Sequence, residues 1–198
     1  MDLSAAPASY ALIAVNVALS LYAFYGDRNF INQSAFQVQA VRDKKQYFRI
    51  VTSSFVHLNF LHLLMNMMTL YFFGPTIETI LGTEGFLVVY FGSILASGFI
   101  SLIVNAHRPE YSSVGASDAV SGVVLSFCCF YPFHSIYLML IPIPIPAIIY
   151  GAFFIYISMT LMQRDQRIIA HEGHLGGALA GVALTILMKP EVITKFFS

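Results

Sequence analysis

The chain contains no tryptophan, and only 10% of its 198 residues are charged. Soluble domains carry roughly 25% charged residues, so this sequence cannot clothe a water-facing globule. Lys/Arg and Asp/Glu balance at 10 each, and no basic run or stripe stands out, so a nucleic-acid partner is not expected. The two cysteines, Cys128 and Cys129, are adjacent inside an apolar run. They read as packing residues and carry no redox message. No Lys or Arg precedes the first apolar run, so a cleavable signal peptide is not expected and that run reads as a retained helix. Internal repeats, low-complexity segments and linkers are also missing.

What the chain has is apolar sequence: 58% hydrophobic residues and a mean hydropathy of +0.74. A membrane helix needs about 20 such residues. Spans are expected at about 8–26, 55–73, 85–107, 115–132, 147–163 and 170–188. The polar stretch Asp27 to Thr52 forms a first loop. Gly74-Pro75 is expected to interrupt the second span, with Glu78 at its polar end. Pro132 closes the fourth. In Ile141-Pro142-Ile143-Pro144-Ile145-Pro146 the prolines lack amide hydrogens and disfavour helix at the preceding residues, so this stretch is extended. Lys189-Pro190 ends the sixth span. The expected fold is one all-α membrane domain over 1–198, a bundle of six transmembrane helices.

In an alternating topology, spans two, four and six enter from the same side. His57, His62 and Asn66 fall in the first turns of span two, Ser117 at the start of span four, and His174 about one turn into span six. All five share one depth on one side. His62 and Asn66, four apart, share a face. His174, Gly177, Ala178 and Gly181 follow helical spacing, so the imidazole heads a small-residue stripe that lets helices approach closely in lipid. Span four offers Gly115, Ala116, Ala119, Ser121 and Gly122 in return. Such a contact brings His174 to Ser117, with Ser121 one turn below.

A serine hydroxyl is a weak nucleophile unless a neighbouring base takes its proton. His174 can serve as that base and then return the proton to a leaving amine. Backbone amides at a helix N-terminus, with Asn66 and His62, can hold an oxyanion. No third acid is expected to orient the base, because Asp118 neighbours Ser117 in sequence and adjacent residues do not share a helix face.

These residues resemble the rhomboid intramembrane serine proteases, over Phe48 to Gly181. The Gly-x-Ser motif is Gly115-Ala116-Ser117, the histidine motif is His174, Gly177 and Gly181, and the second-span motif is His57, His62 and Asn66. A Gly-x-x-x-Glu-x-x-x-Gly motif is Gly74, Glu78 and Gly82. Phe48-Arg49 stands where family members carry Trp-Arg. The resemblance implies cleavage of single-span membrane proteins, without ATP, metal or other cofactor. It makes Ser117 the nucleophile, His174 the base, His62 and Asn66 the oxyanion site, and Gly115 and Gly177 helix-contact positions. Its partners are transmembrane substrates with small residues at an easily unwound cut site, and the lipid bilayer. Two departures lie beside the nucleophile. Asp118 stands where Gly or Ala is usual, and Ser121 where some members place an aromatic ring.

Three other readings exist. Zinc could gather His57, His62, His171 and His174, but no His-Glu-x-x-His motif is present. A non-catalytic relative that binds membrane helices is an alternative, although such proteins typically lack the serine or the histidine. A transporter would also line its path with broken helices and buried polar groups. The short chain points to a bacterial or archaeal cell membrane, and the family orientation opens the site to the extracytoplasmic side. The cations favour the reverse: Arg28, Arg42, Lys44, Lys45, Arg49, Arg108, Arg164 and Arg167 lie on the active-site side, against Lys189 and Lys195.

Overall fold

The computed structural model describes residues 5–138, 141–162 and 171–197. Helix α1 (Pro7–Leu21) starts on a proline, whose missing N–H costs nothing in a first turn. It runs on through a π-helical turn at Tyr22–Gly26. Its buried residues are Ser9, Leu12, Asn16 and Ser20, one stripe at helical spacing. Val15, Leu21 and Tyr22 are exposed. The polar face turns inward and the apolar face outward, as suits a helix whose solvent is hydrocarbon. Exposed Phe72, Leu95, Phe99 and Ile103 repeat the pattern on α5 (Phe60–Val104).

The first loop is folded. It holds the short helices α2 (Asn29–Ser34), α3 (Val38–Arg42) and α4 (Arg49–Thr52) and a two-residue strand, β1 (Phe36–Gln37). Strand β1 pairs antiparallel with β2 (Ser112–Ser113), matching Phe36 to Ser113 and Gln37 to Ser112. Arg49 donates to the carbonyls of Asn32 (2.9 Å) and Ala35 (2.8 Å) and to Gln46 Oε1 (2.6 Å). A five-donor guanidinium thus closes the loop by satisfying carbonyls that helix and sheet leave unpaired.

Helix α5 differs from the expected pair of spans. It starts at Phe60, capped by Asn59, which accepts the His62 amide. His57 therefore lies in the approach to the helix and not within it. The helix does not break at Gly74-Pro75. It breaks at Gly82, where φ is +73°, a value that favours glycine. Two arms result, 60–81 and 83–104. The helix continues through Pro75, and α1 packs closely on Gly74, where a Cβ would meet Ser9 Oγ at 3.0 Å. Glu78 lies in the last turn of the first arm and accepts the amides of Ala8 (2.9 Å) and Ser9 (2.7 Å), capping α1.

Helix α6 (Ser117–Phe130) is the centre of the molecule. Nearly every residue from Ala119 to Phe130 is buried, packed mainly by α5 and α8 (His171–Met188). A helix apolar on all sides belongs in such a core. Between α6 and α7 (Ala147–Met162) runs a hairpin of β3 (Ser135–Leu138) and β4 (Ile141–Pro146). Its second strand is the Ile-Pro stretch, extended as its prolines dictate. A 3-10 segment, Pro190–Phe196, bends 107° away from α8. By length and apolarity the described residues hold two helices able to cross a membrane, Pro7–Gly26 and Phe60–Val104, or three if the bent α8 pair counts as one span. The whole is a mostly helical membrane protein.

Candidate active site

Four segments meet at the N-terminus of α6. At 14 residues, α6 is only about 21 Å long, shorter than a hydrocarbon core of about 30 Å. Its first residue, Ser117, therefore falls short of the membrane surface if its far end reaches the opposite face. Gly115, at φ +122°, turns the chain into the helix. A Cβ there would strike the His62 imidazole, so glycine is required for both conformation and space.

His174 Nε2 lies 2.6 Å from Ser117 Oγ. The approach of α8 makes this possible. A Cβ on Gly177 would collide with the Asp118 carbonyl, and one on Gly181 with the Gly122 backbone, so the two helices touch backbone to backbone in the turns that follow the pair. Ser121 donates to the Ser117 carbonyl (2.6 Å), a back-bond within its own helix.

The His62 ring stands against Gly115, and Asn66 lies one turn further along α5. The His62 ring packs edge-on to His57, with centroids 5.1 Å apart. Asn66, buried, donates from Nδ2 to the His62 carbonyl at 3.0 Å. His57 is fully buried. Its Nε2 accepts the Ala116 amide (3.3 Å) and its Nδ1 lies 2.9 Å from Ser20 Oγ. One ring nitrogen accepts, so the other carries the proton and donates. His57 thereby ties the serine turn to α1. The His171 imidazole lies outside the described residues.

Asp118 turns away from the pair. Its carboxylate accepts the Ala119 amide (2.8 Å) and the Ser54 hydroxyl (3.1 Å to Oδ2). Sequence reasoning missed Ser54, and nothing local signals it. It did not single out Ser97 either, although Ser93, Ser97 and Ser101 recur every four residues of an apolar helix and are all buried. Among the described residues no three His, Cys, Asp or Glu side chains converge as a metal site would require.

A family model described as the Rhomboid domain matches residues 44–191. The chain belongs to the rhomboid family. It is 31% identical to Rhomboid protein 1, mitochondrial, of Saccharomyces cerevisiae, over 87% of this chain and 51% of that protein. It is 30% identical to Presenilin-associated rhomboid-like protein A, mitochondrial, of Danio rerio, over 75% of this chain and 41% of that protein. RHOMBOID-like protein 12, mitochondrial, of Arabidopsis thaliana is 30% identical over 71% of this chain and 46% of that protein. The chain spans about half the length of these relatives. Rhomboid proteins are generally serine proteases that act on transmembrane substrates within the bilayer.

These relatives correct one expectation. A bacterial or archaeal cell membrane, with the site opening to the extracytoplasmic side, does not fit relatives that are all mitochondrial. The physical reason is simple: apolar spans of about 20 residues suit any bilayer with a core of about 30 Å, so composition and span pattern carry no compartment.

Proposed function

We propose that this rhomboid chain is an intramembrane serine endopeptidase of a mitochondrial membrane, built on six spans and cleaving single-span membrane proteins. The observation that carries the reading is the 2.6 Å contact between His174 Nε2 and Ser117 Oγ. That is hydrogen-bond distance for a base taking a hydroxyl proton. Neutral His174 removes the proton as Ser117 Oγ attacks the scissile carbonyl. The resulting imidazolium then protonates the leaving amine, and water, activated by the same base, releases the acyl enzyme. The oxyanion sits on the α6 N-terminal side, where the macrodipole favours negative charge. An amide nitrogen has two N–H donors. The His62 carbonyl takes one from Asn66, and the other serves the oxyanion, with the His62 ring beside it. Asp118 is committed to Ser54 and Ala119, so the chemistry runs on a Ser-His dyad.

The test is turnover of a single-span model substrate by purified protein in liposomes. Ser117→Ala should abolish it, and a chelator should leave it intact. Full turnover by Ser117→Ala ends the serine reading. Loss of turnover on chelation favours the metal reading. Tight substrate binding by wild type with no cleavage leaves only a helix-binding role.

A further inference from the structure

The helix that carries Ser117 lacks an ordinary cap. Its N-cap residue is Ala116, which has no side-chain acceptor. Polar caps at this position stabilise a helix, and first-turn amides left bare in an apolar setting are costly. Asp118 supplies the acceptor from inside the helix by taking the Ala119 amide at 2.8 Å. The same carboxylate accepts from Ser54 at 3.1 and 3.3 Å. An ionised Asp in an apolar span is costly, so these donors are what make it tenable.

Ser54 belongs to a 3-10 turn, Ser53–Phe55, at the end of the first loop. Three bonds join this segment to the serine turn in register. Ser53 O accepts the Gly115 amide (2.9 Å), His57 Nε2 accepts the Ala116 amide (3.3 Å), and Ser54 Oγ donates to Asp118. The first two hold the backbone before Ser117. Only the third holds the chain after it.

We propose that Asp118 is a positioning residue: with Ser54 it clamps the first turn of α6 to the first loop and so fixes Ser117 Oγ at its attack position beside His174. The proposal rests on the serine-protease reading and adds a residue to it. The backbone carbonyl of Asp118 faces the Gly177 position of α8 while its side chain faces the loop. The residue therefore sits between the helix bearing the base and the loop. A shift there moves the hydroxyl relative to the imidazole, and a misplacement of about 1 Å can cost on the order of 100-fold in rate.

The experiment compares wild type with Asp118→Ala, Asp118→Asn, Ser54→Ala, the Ser54→Ala/Asp118→Ala double variant and Ser117→Ala. All are reconstituted in liposomes with a single-span substrate. A fluorophosphonate titrates reactive serines, so kcat is counted per active site and separated from KM. A purely structural residue changes the number of sites and not kcat per site. Asp118→Ala and Ser54→Ala should each lower kcat per site about 10-fold or more with KM little changed. The double variant should fall no further, because both remove one link. Asp118→Asn should stay within about threefold of wild type, since its amide oxygen has two lone pairs for the same two donors. Wild-type kcat per site in Ser54→Ala overturns the proposal even if Asp118→Ala does not fold, as do multiplicative losses in the double variant. Turnover surviving in Ser117→Ala overturns the serine reading and this proposal with it. Turnover lost in Ser117→Ala but unchanged in Asp118→Ala overturns the proposal alone.

Discussion

The Ser117 hydroxyl and the His174 imidazole are both half-buried and 2.6 Å apart. That geometry asks little reorganisation before proton transfer. The same economy does not extend to Asn66, whose amide already donates to its own helix at the His62 carbonyl. Its proposed oxyanion role depends on the second N–H. Asn66→Ala should therefore keep the fold and lose about 10²–10³ in kcat, the usual loss for one oxyanion donor. Unchanged kcat with normal thermal stability would remove Asn66 from the oxyanion site. His57 shows how polar residues near a site divide their work. Both of its ring nitrogens are engaged, with Ser20 and with Ala116, so it holds the turn and has no lone pair left for chemistry.

At the scale of elements, the close contact of α6 with α8 is what brings base to nucleophile. Adding one methyl at Gly181 places it against the Gly122 backbone, which cannot yield as a flexible side chain can. Gly181→Ala should lower stability by about 1–3 kcal/mol and reduce turnover together with it, read as thermal unfolding in detergent micelles. An unchanged melting temperature would mean the helices are less tightly apposed. At the other end of the bundle, Glu78 caps α1 by accepting two amides and the Thr83 hydroxyl. Glu78→Ala strands those amides and should destabilise by about 1–3 kcal/mol. Because Glu78 does not touch the Ser117–His174 pair, kcat per folded molecule should stay close to wild type. A fall in kcat at wild-type stability would contradict a purely capping role.

At the scale of the whole molecule, much was legible from apolar runs and their spacing. The first helix was expected at 8–26 and is observed at Pro7–Gly26. The extended Ile-Pro stretch follows from proline chemistry and pairs as β4. Ser117 and His174 could be placed at one depth by counting spans, because helix length and bilayer thickness fix where each run begins. Other features resisted. The chain turns at Gly82, whose φ of +73° favours glycine, and not at Gly74-Pro75, where α1 packs closely on an unbroken helix. The Ser54–Asp118 bond joins residues 64 apart, and the Arg49 contacts depend on the whole loop closing. Neither has a periodic signature, since long-range bonds of a folded loop leave no spacing in the sequence. Compartment was not legible either, because one bilayer selects much the same helices as another.

In the proposed mechanism Ser117 and His174 together cut a membrane-embedded peptide bond. The most direct measurement is the cleavage of a single-span substrate by purified protein in liposomes, with wild type, Ser117→Ala and His174→Ala compared at equal folded concentration. Wild type should give a defined cleavage product and either variant none, with melting temperatures that match. Cleavage by either variant at the wild-type rate would contradict the proposed mechanism.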